Sequence, residues 1–118
     1  MDIKPGSQVR VIASYQAPYP DPIIVLKGEE VSIDHTRETD IAGWVWCNSS
    51  AGKGGWVPEA YLGQHGDQGI MRCDYNAIEL TIQPGERLTV HKAESGFLWV
   101  TNQSGQTGWV PSTHVDAC

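Results

Sequence analysis

Gly55-Trp56-Val57-Pro58 recurs as Gly108-Trp109-Val110-Pro111, and this duplicated tetrapeptide organises the rest of the chain. Upstream, Leu26-Lys27-Gly28-Glu29 is echoed by Ile82-Gln83-Pro84-Gly85-Glu86, and Ser14-Tyr15-Gln16-Ala17 by Asp74-Tyr75-Asn76-Ala77. The offset between copies falls from 60 at Tyr15 and Tyr75 to 57 at Gly28 and Gly85, then to 53 at Trp56 and Trp109. Length therefore changes at two points between fixed landmarks, as happens when loops vary and the strands they join do not. Two copies are too few for a solenoid, which needs three or more units to bury a continuous core. The repeat predicts two self-contained domains, residues 1–63 and 64–118.

Within each copy the pattern is that of short strands. Val9 to Ala13 is rich in β-branched residues and partly alternating, while Glu30-Val31-Ser32-Ile33-Asp34 alternates strictly. Gly43 to Cys47 reads as a strand that passes through the turn-rich Ser49 to Gly54 into Gly55-Trp56-Val57, a hairpin. The second copy offers Gly69 to Asp74, Arg87 to His91, Phe97 to Thr101 and Thr107 to Val110. Neither copy holds a ten-residue helical period, so the expected class is all-β, two consecutive small barrels. Gly63 to Gly69, polar with three glycines, reads as a short flexible linker.

Bulk properties remove several classes of function. A formal charge of −6 argues against an extensive phosphate-binding surface, because nucleic-acid affinity comes mainly from Lys and Arg. Three cysteines (Cys47, Cys73, Cys118) and four scattered histidines show no metal-ligand spacing, so no metal or cofactor is expected. No secretory-type apolar segment follows Met1, and the odd cysteine count suits reduced thiols, so the expected location is cytoplasmic. No phosphate loop, carboxylate dyad or nucleophile elbow is present, and the expectation is a protein that is not an enzyme.

Over nearly its whole length, twice, the chain resembles the Src-homology-3 (SH3) family. The carriers are Cys73-Asp74-Tyr75, Glu79-Leu80-Thr81-Ile82-Gln83-Pro84-Gly85-Glu86, and Gly55-Trp56-Val57-Pro58-Glu59-Ala60-Tyr61-Leu62. The resemblance implies five-stranded barrels with an RT loop (about Gln16 to Ile23, and Asn76 to Glu79) and an n-Src loop (about His35 to Ala42, and Lys92 to Gly96). It also implies an aromatic groove for short, Pro-rich or extended peptides, whose preformed polyproline II shape limits the entropy lost on binding. By position, copy one would supply Tyr15, Trp44, Trp56, Pro58 and Tyr61. Copy two would supply Tyr75, Phe97, Trp109, Pro111 and His114, a poorer groove because Phe97 replaces the binding tryptophan. The RT-loop acid that grips a ligand's basic residue falls on Pro22 in copy one, with Asp21 beside it, and on Glu79 in copy two. Glu38 and Asp40 offer another acidic contact.

The plainer reading of Trp46 and Trp99 is packing, since their family position does not line the groove. The leading function is a non-catalytic peptide-binding module with two sites. Three alternatives stand beside it. The barrels could pack together or dimerise in a structural role, or form a bacterial SH3-type cell-wall-binding module. A translation-associated barrel that binds RNA is the third, which the negative charge disfavours. The expected partner is a protein or peptide, Pro-rich with a basic residue, with no nucleic acid and no membrane.

Overall fold

The computed structural model describes residues 4–18, 21–37 and 42–118. Among the described residues twelve strands run in chain order: β1 (Gln8–Val11), β2 (Ile24–Val25), β3 (Glu30–Asp34), β4 (Trp44–Asn48), β5 (Gly54–Pro58), β6 (Leu62–His65), β7 (Gln68–Met71), β8 (Tyr75–Asn76), β9 (Arg87–Glu94), β10 (Phe97–Asn102), β11 (Thr107–Pro111) and β12 (Val115–Ala117). Two 3-10 turns, Glu59–Tyr61 and Ser112–His114, follow β5 and β11. Among the described residues there is no α-helix, and no helix is long and apolar enough to cross a membrane. The all-β expectation holds, with two separate five-stranded sheets.

The sheets are not divided as the repeat is. One has the order β5-β4-β3-β7-β6, the other β11-β10-β9-β1-β12. Each first strand has crossed over: β1 lies between β9 and β12 of the second copy, and β7 lies between β3 and β6 of the first. The compact units are accordingly Asp21–Ala77, one continuous stretch, and Met1–Pro20 with Ile78–Cys118, which the first interrupts. The expected cut between residues 63 and 64 is not the one along which the chain packs. A chain passing twice between units buries β1 and β7 as fully as two consecutive barrels would, and the hydrophobic pattern alone does not distinguish the two arrangements.

The expected linker is corrected too. Leu62–His65 and Gln68–Met71 are paired antiparallel strands, with His65 opposite Gln68, so Gly66 and Asp67 form a hairpin turn. Gly66 adopts φ +64°, a backbone conformation that costs glycine least. Three glycines read as flexibility, yet Gly69 is buried in β7 and packs against its sheet.

Each unit owns its core. In the interrupted unit Val9, Val11, Leu80, Ile82, Leu88, Val90, Leu98, Val100, Val110 and Val115 form one cluster, with Tyr15 against it. In the continuous unit Ile23, Val25, Val31, Ile33, Cys47, Val57, Leu62 and Met71 are buried. Gly108 lets the chain Ile78–Leu80 lie directly on β11: a Cβ there would stand 2.9 Å from Leu80 Cγ and 3.1 Å from the Glu79 carbonyl carbon. Ala77 N–H donates to the Ile23 carbonyl at 2.9 Å, so the two ends of the continuous unit are adjacent. That adjacency lets it sit within the other unit's chain at little entropic cost.

Candidate functional site

Because the first strands cross, the RT-loop arms cross with them, and the two expected residue sets are re-sorted. In the interrupted unit, Tyr15 of copy one joins Glu79, Phe97, Trp109, Pro111 and His114 of copy two. The Tyr15 hydroxyl donates to Glu79 Oε1 at 2.5 Å, and its ring meets His114 edge-on at 5.5 Å between centroids. Tyr15 is held in place by N–H to Ile82 carbonyl and Ile82 N–H to Tyr15 carbonyl, at 3.0 and 2.8 Å. Glu79 is fixed by its neighbours: Trp109 N–H donates to the Ile78 carbonyl and Leu80 N–H to the Trp109 carbonyl. Phe97 stands opposite Pro111 across β10 and β11. Tyr15, Glu79, Phe97 and His114 are half-buried, whereas Trp109 and Pro111 are buried.

In the continuous unit, Tyr75 of copy two joins Asp21, Trp44, Trp56, Pro58 and Tyr61 of copy one. Tyr75 and Tyr61 meet edge-on at 5.6 Å, and the Tyr75 hydroxyl donates to the Trp56 carbonyl at 3.0 Å. Trp44 opposes Pro58 across β4 and β5. Trp44 is only 8% exposed and Tyr75 only 6%, so the two rings expected to line this groove offer little face. Asp21 forms an exposed 2.7 Å ion pair with Lys53, which occupies the carboxylate proposed for a basic ligand. Glu38 and Asp40, and the RT-loop residues Tyr19 and Pro20, lie outside the described residues.

The expected n-Src loop of copy two is not a loop. β9 runs on to Glu94 and pairs with β10, with a bulge at Trp99 and Val100, and Ser95-Gly96 makes the turn with φ of +45° and +88°. Sequence reading also missed the cations: Arg37 lies 4.0 Å from the Trp46 ring centre and Lys92 5.6 Å from that of Trp109. Each stands over one tryptophan of a cross-strand pair, Trp46 with Trp56 and Trp99 with Trp109. No signal marked them, because a lysine in a strand is ordinarily solvated and a cation over an indole is made by tertiary position.

Burial raises the Glu79 carboxyl above its ordinary value of 4.5, and the Tyr15 hydrogen bond only partly offsets it. Since the folded state holds this proton more tightly than the unfolded chain, its stabilising contribution is complete below about pH 4.5 and declines as pH rises through the raised value. Glu79→Gln should therefore flatten that decline, read from urea melts between pH 4 and 7; an unchanged slope would place the titration elsewhere. Burial also pushes the Cys47 thiol up to about 11, which leaves it unreactive at neutral pH. Among the described residues no cluster of three or more His, Cys, Asp or Glu could hold a metal ion.

A family model described as variant SH3 domain matches residues 9–63. No curated protein matches the chain. SH3 domains are protein-interaction modules and are generally non-catalytic. Residues 9–63 are thus similar to variant SH3 domains, and the second five-stranded sheet takes β9, β10, β11 and β12 from the region after the match and β1 from its start.

Proposed function

We propose that the chain is a non-catalytic interaction module that takes an extended peptide at the cluster of Tyr15, Glu79, Phe97 and His114. The supporting observation is the Tyr15–Glu79 hydrogen bond within a set of half-buried rings, which sets one carboxylate beside apolar faces. Such a surface suits a segment whose flat or ring-bearing side chains pack on Phe97 and Tyr15 while a Lys or Arg reaches Glu79. A charge-assisted hydrogen bond there contributes about 1.5–3 kcal/mol. The cluster in the continuous unit is the weaker candidate, because Trp44 and Tyr75 are buried and Asp21 is paired.

The test is an amide NMR titration with Pro-rich peptides, with and without Arg or Lys. Shifts should centre on Phe97, Glu79 and His114, and Glu79→Gln should weaken the basic peptides about tenfold while leaving the neutral ones alone. Binding of the basic peptides should strengthen as pH rises above 4.5, as Glu79 ionises. A folded spectrum without shifts at millimolar peptide would sink this reading and favour an assembly role. Shifts centred on Trp56 and Tyr61 would move the site to the other unit.

A further inference from the structure

The two first strands are interchangeable in register. Gln8 opposes Thr89 and Arg10 opposes Arg87; Gln68 opposes Ser32 and Ile70 opposes Glu30. By the repeat, Thr89 stands where Ser32 does and Arg87 where Glu30 does. Both strands show the same exposed-buried alternation, and each has a last strand, β12 or β6, on its other side. Returning β1 to β3 and β7 to β9 would thus keep every register, and the family match over 9–63 spans that uncrossed barrel as one stretch. Charge favours the return: Arg10 now faces Arg87, and uncrossed it would face Glu30.

Packing opposes it. Gly69 occupies in one unit the place that Val9 occupies in the other, and Met71 the place of Val11. A Cβ on Gly69 would stand 3.2 Å from Leu62 Cδ2 and 3.4 Å from Ile33 Cδ1, so those side chains would have to give by a few tenths of an ångström to admit one, and by more to admit a valine. Val9 is 1% exposed and fills its own core. Uncrossing would force Val9 into the tight place and leave a cavity where Val9 had been; overpacking and voids each outweigh a surface charge pair.

We propose that the exchange of Val9 and Val11 against Gly69 and Met71 selects the crossed closure over a register-equivalent uncrossed one. The choice decides the composition of both aromatic clusters, since Tyr15 follows β1 and Tyr75 follows β7. It does not depend on what either cluster binds.

The test uses the full chain with Cys73→Ser and Cys118→Ser, retaining the unreactive Cys47. One version adds Gln8→Cys with Thr89→Cys, the other Gln8→Cys with Ser32→Cys. Non-hydrogen-bonded antiparallel partners lie close enough for a disulfide. Peptide mapping after oxidation should find the 8–89 bond and little 8–32 bond in the otherwise native chain. Val9→Gly, Val11→Met, Gly69→Val and Met71→Val together should reverse that preference. Should the fourfold variant not fold, Gly69→Ala decides: one methyl should raise the ratio of 8–32 to 8–89 product at least tenfold. A folded fourfold variant that still gives only the 8–89 bond would overturn the proposal, as would an unmoved ratio in Gly69→Ala.

Discussion

Val9→Asp should abolish the fold of the interrupted unit while leaving most of the continuous unit intact. Val9 is 1% exposed, within the cluster of Leu88, Val90, Leu98 and Val115. A carboxylate there has no partner and no water, a penalty of roughly 4 kcal/mol or more after the protein relaxes. A small barrel has little stability to spare. Hydrogen exchange should show loss of protection across β9, β10 and β11, with Trp99 and Trp109 exposed to quencher. Residues Asp21–Ala77 should stay protected, because they form a continuous stretch whose ends already meet. Loss of protection in β3 and β4 with β9 and β10 intact would mean that β1 sits with its own copy.

Met71→Ala should act the other way, and less selectively. Met71 is 1% exposed in β7, where its N–H donates to the Glu29 carbonyl at 2.9 Å. Truncating a buried methionine costs about 2–5 kcal/mol, the upper part of the range applying where neighbours cannot close in. The loss falls first on the continuous unit, although Met71 belongs by sequence to the second copy. When that unit opens, the other must close its chain across about 57 disordered residues instead of across adjacent ends, a further cost of about 2 kcal/mol. The expected result is lowered protection throughout, larger in β3, β4 and β5 than in β9, β10 and β11. An effect confined to β9, β10 and β11 would contradict the strand order.

The contrast between these variants marks where the sequence stops being informative. The Gly-Trp-Val-Pro repeat, the strict alternation of Glu30 to Asp34 and the turn at Ser49 to Gly54 were enough to place strands, hairpins and the all-β class. They were enough because each depends on local pattern. Which β3-like strand receives β1 depends on a choice between two equivalent partners, and Val9-Arg10-Val11 fits the alternation of either. The information that discriminates lies in Gly69, a glycine that reads as linker flexibility until its neighbours Leu62 and Ile33 are seen.

The partition of the candidate residues between the units was only partly legible. The twelve expected residues divide six and six between the two units, but Tyr15 and Tyr75 trade places because they travel with the exchanged strands. Burial was not legible: Trp44 is the residue that type and position favour most for a ligand, and it is 8% exposed. The position of the Glu79 side chain was not legible either. Glu79 lies along β11, held by Ile78 and Leu80, and its carboxylate meets a tyrosine sixty-four residues earlier in the chain.

The most direct measurement of the crossed closure is a NOESY spectrum of the folded chain, read for cross-strand Hα–Hα contacts. Non-hydrogen-bonded antiparallel partners bring these protons closest. The crossed arrangement predicts strong peaks between Gln8 and Thr89, Arg10 and Arg87, Ser32 and Gln68, and Glu30 and Ile70. Peaks between Gln8 and Ser32 and between Gln68 and Thr89 in their place would contradict it, and would return the chain to two consecutive barrels.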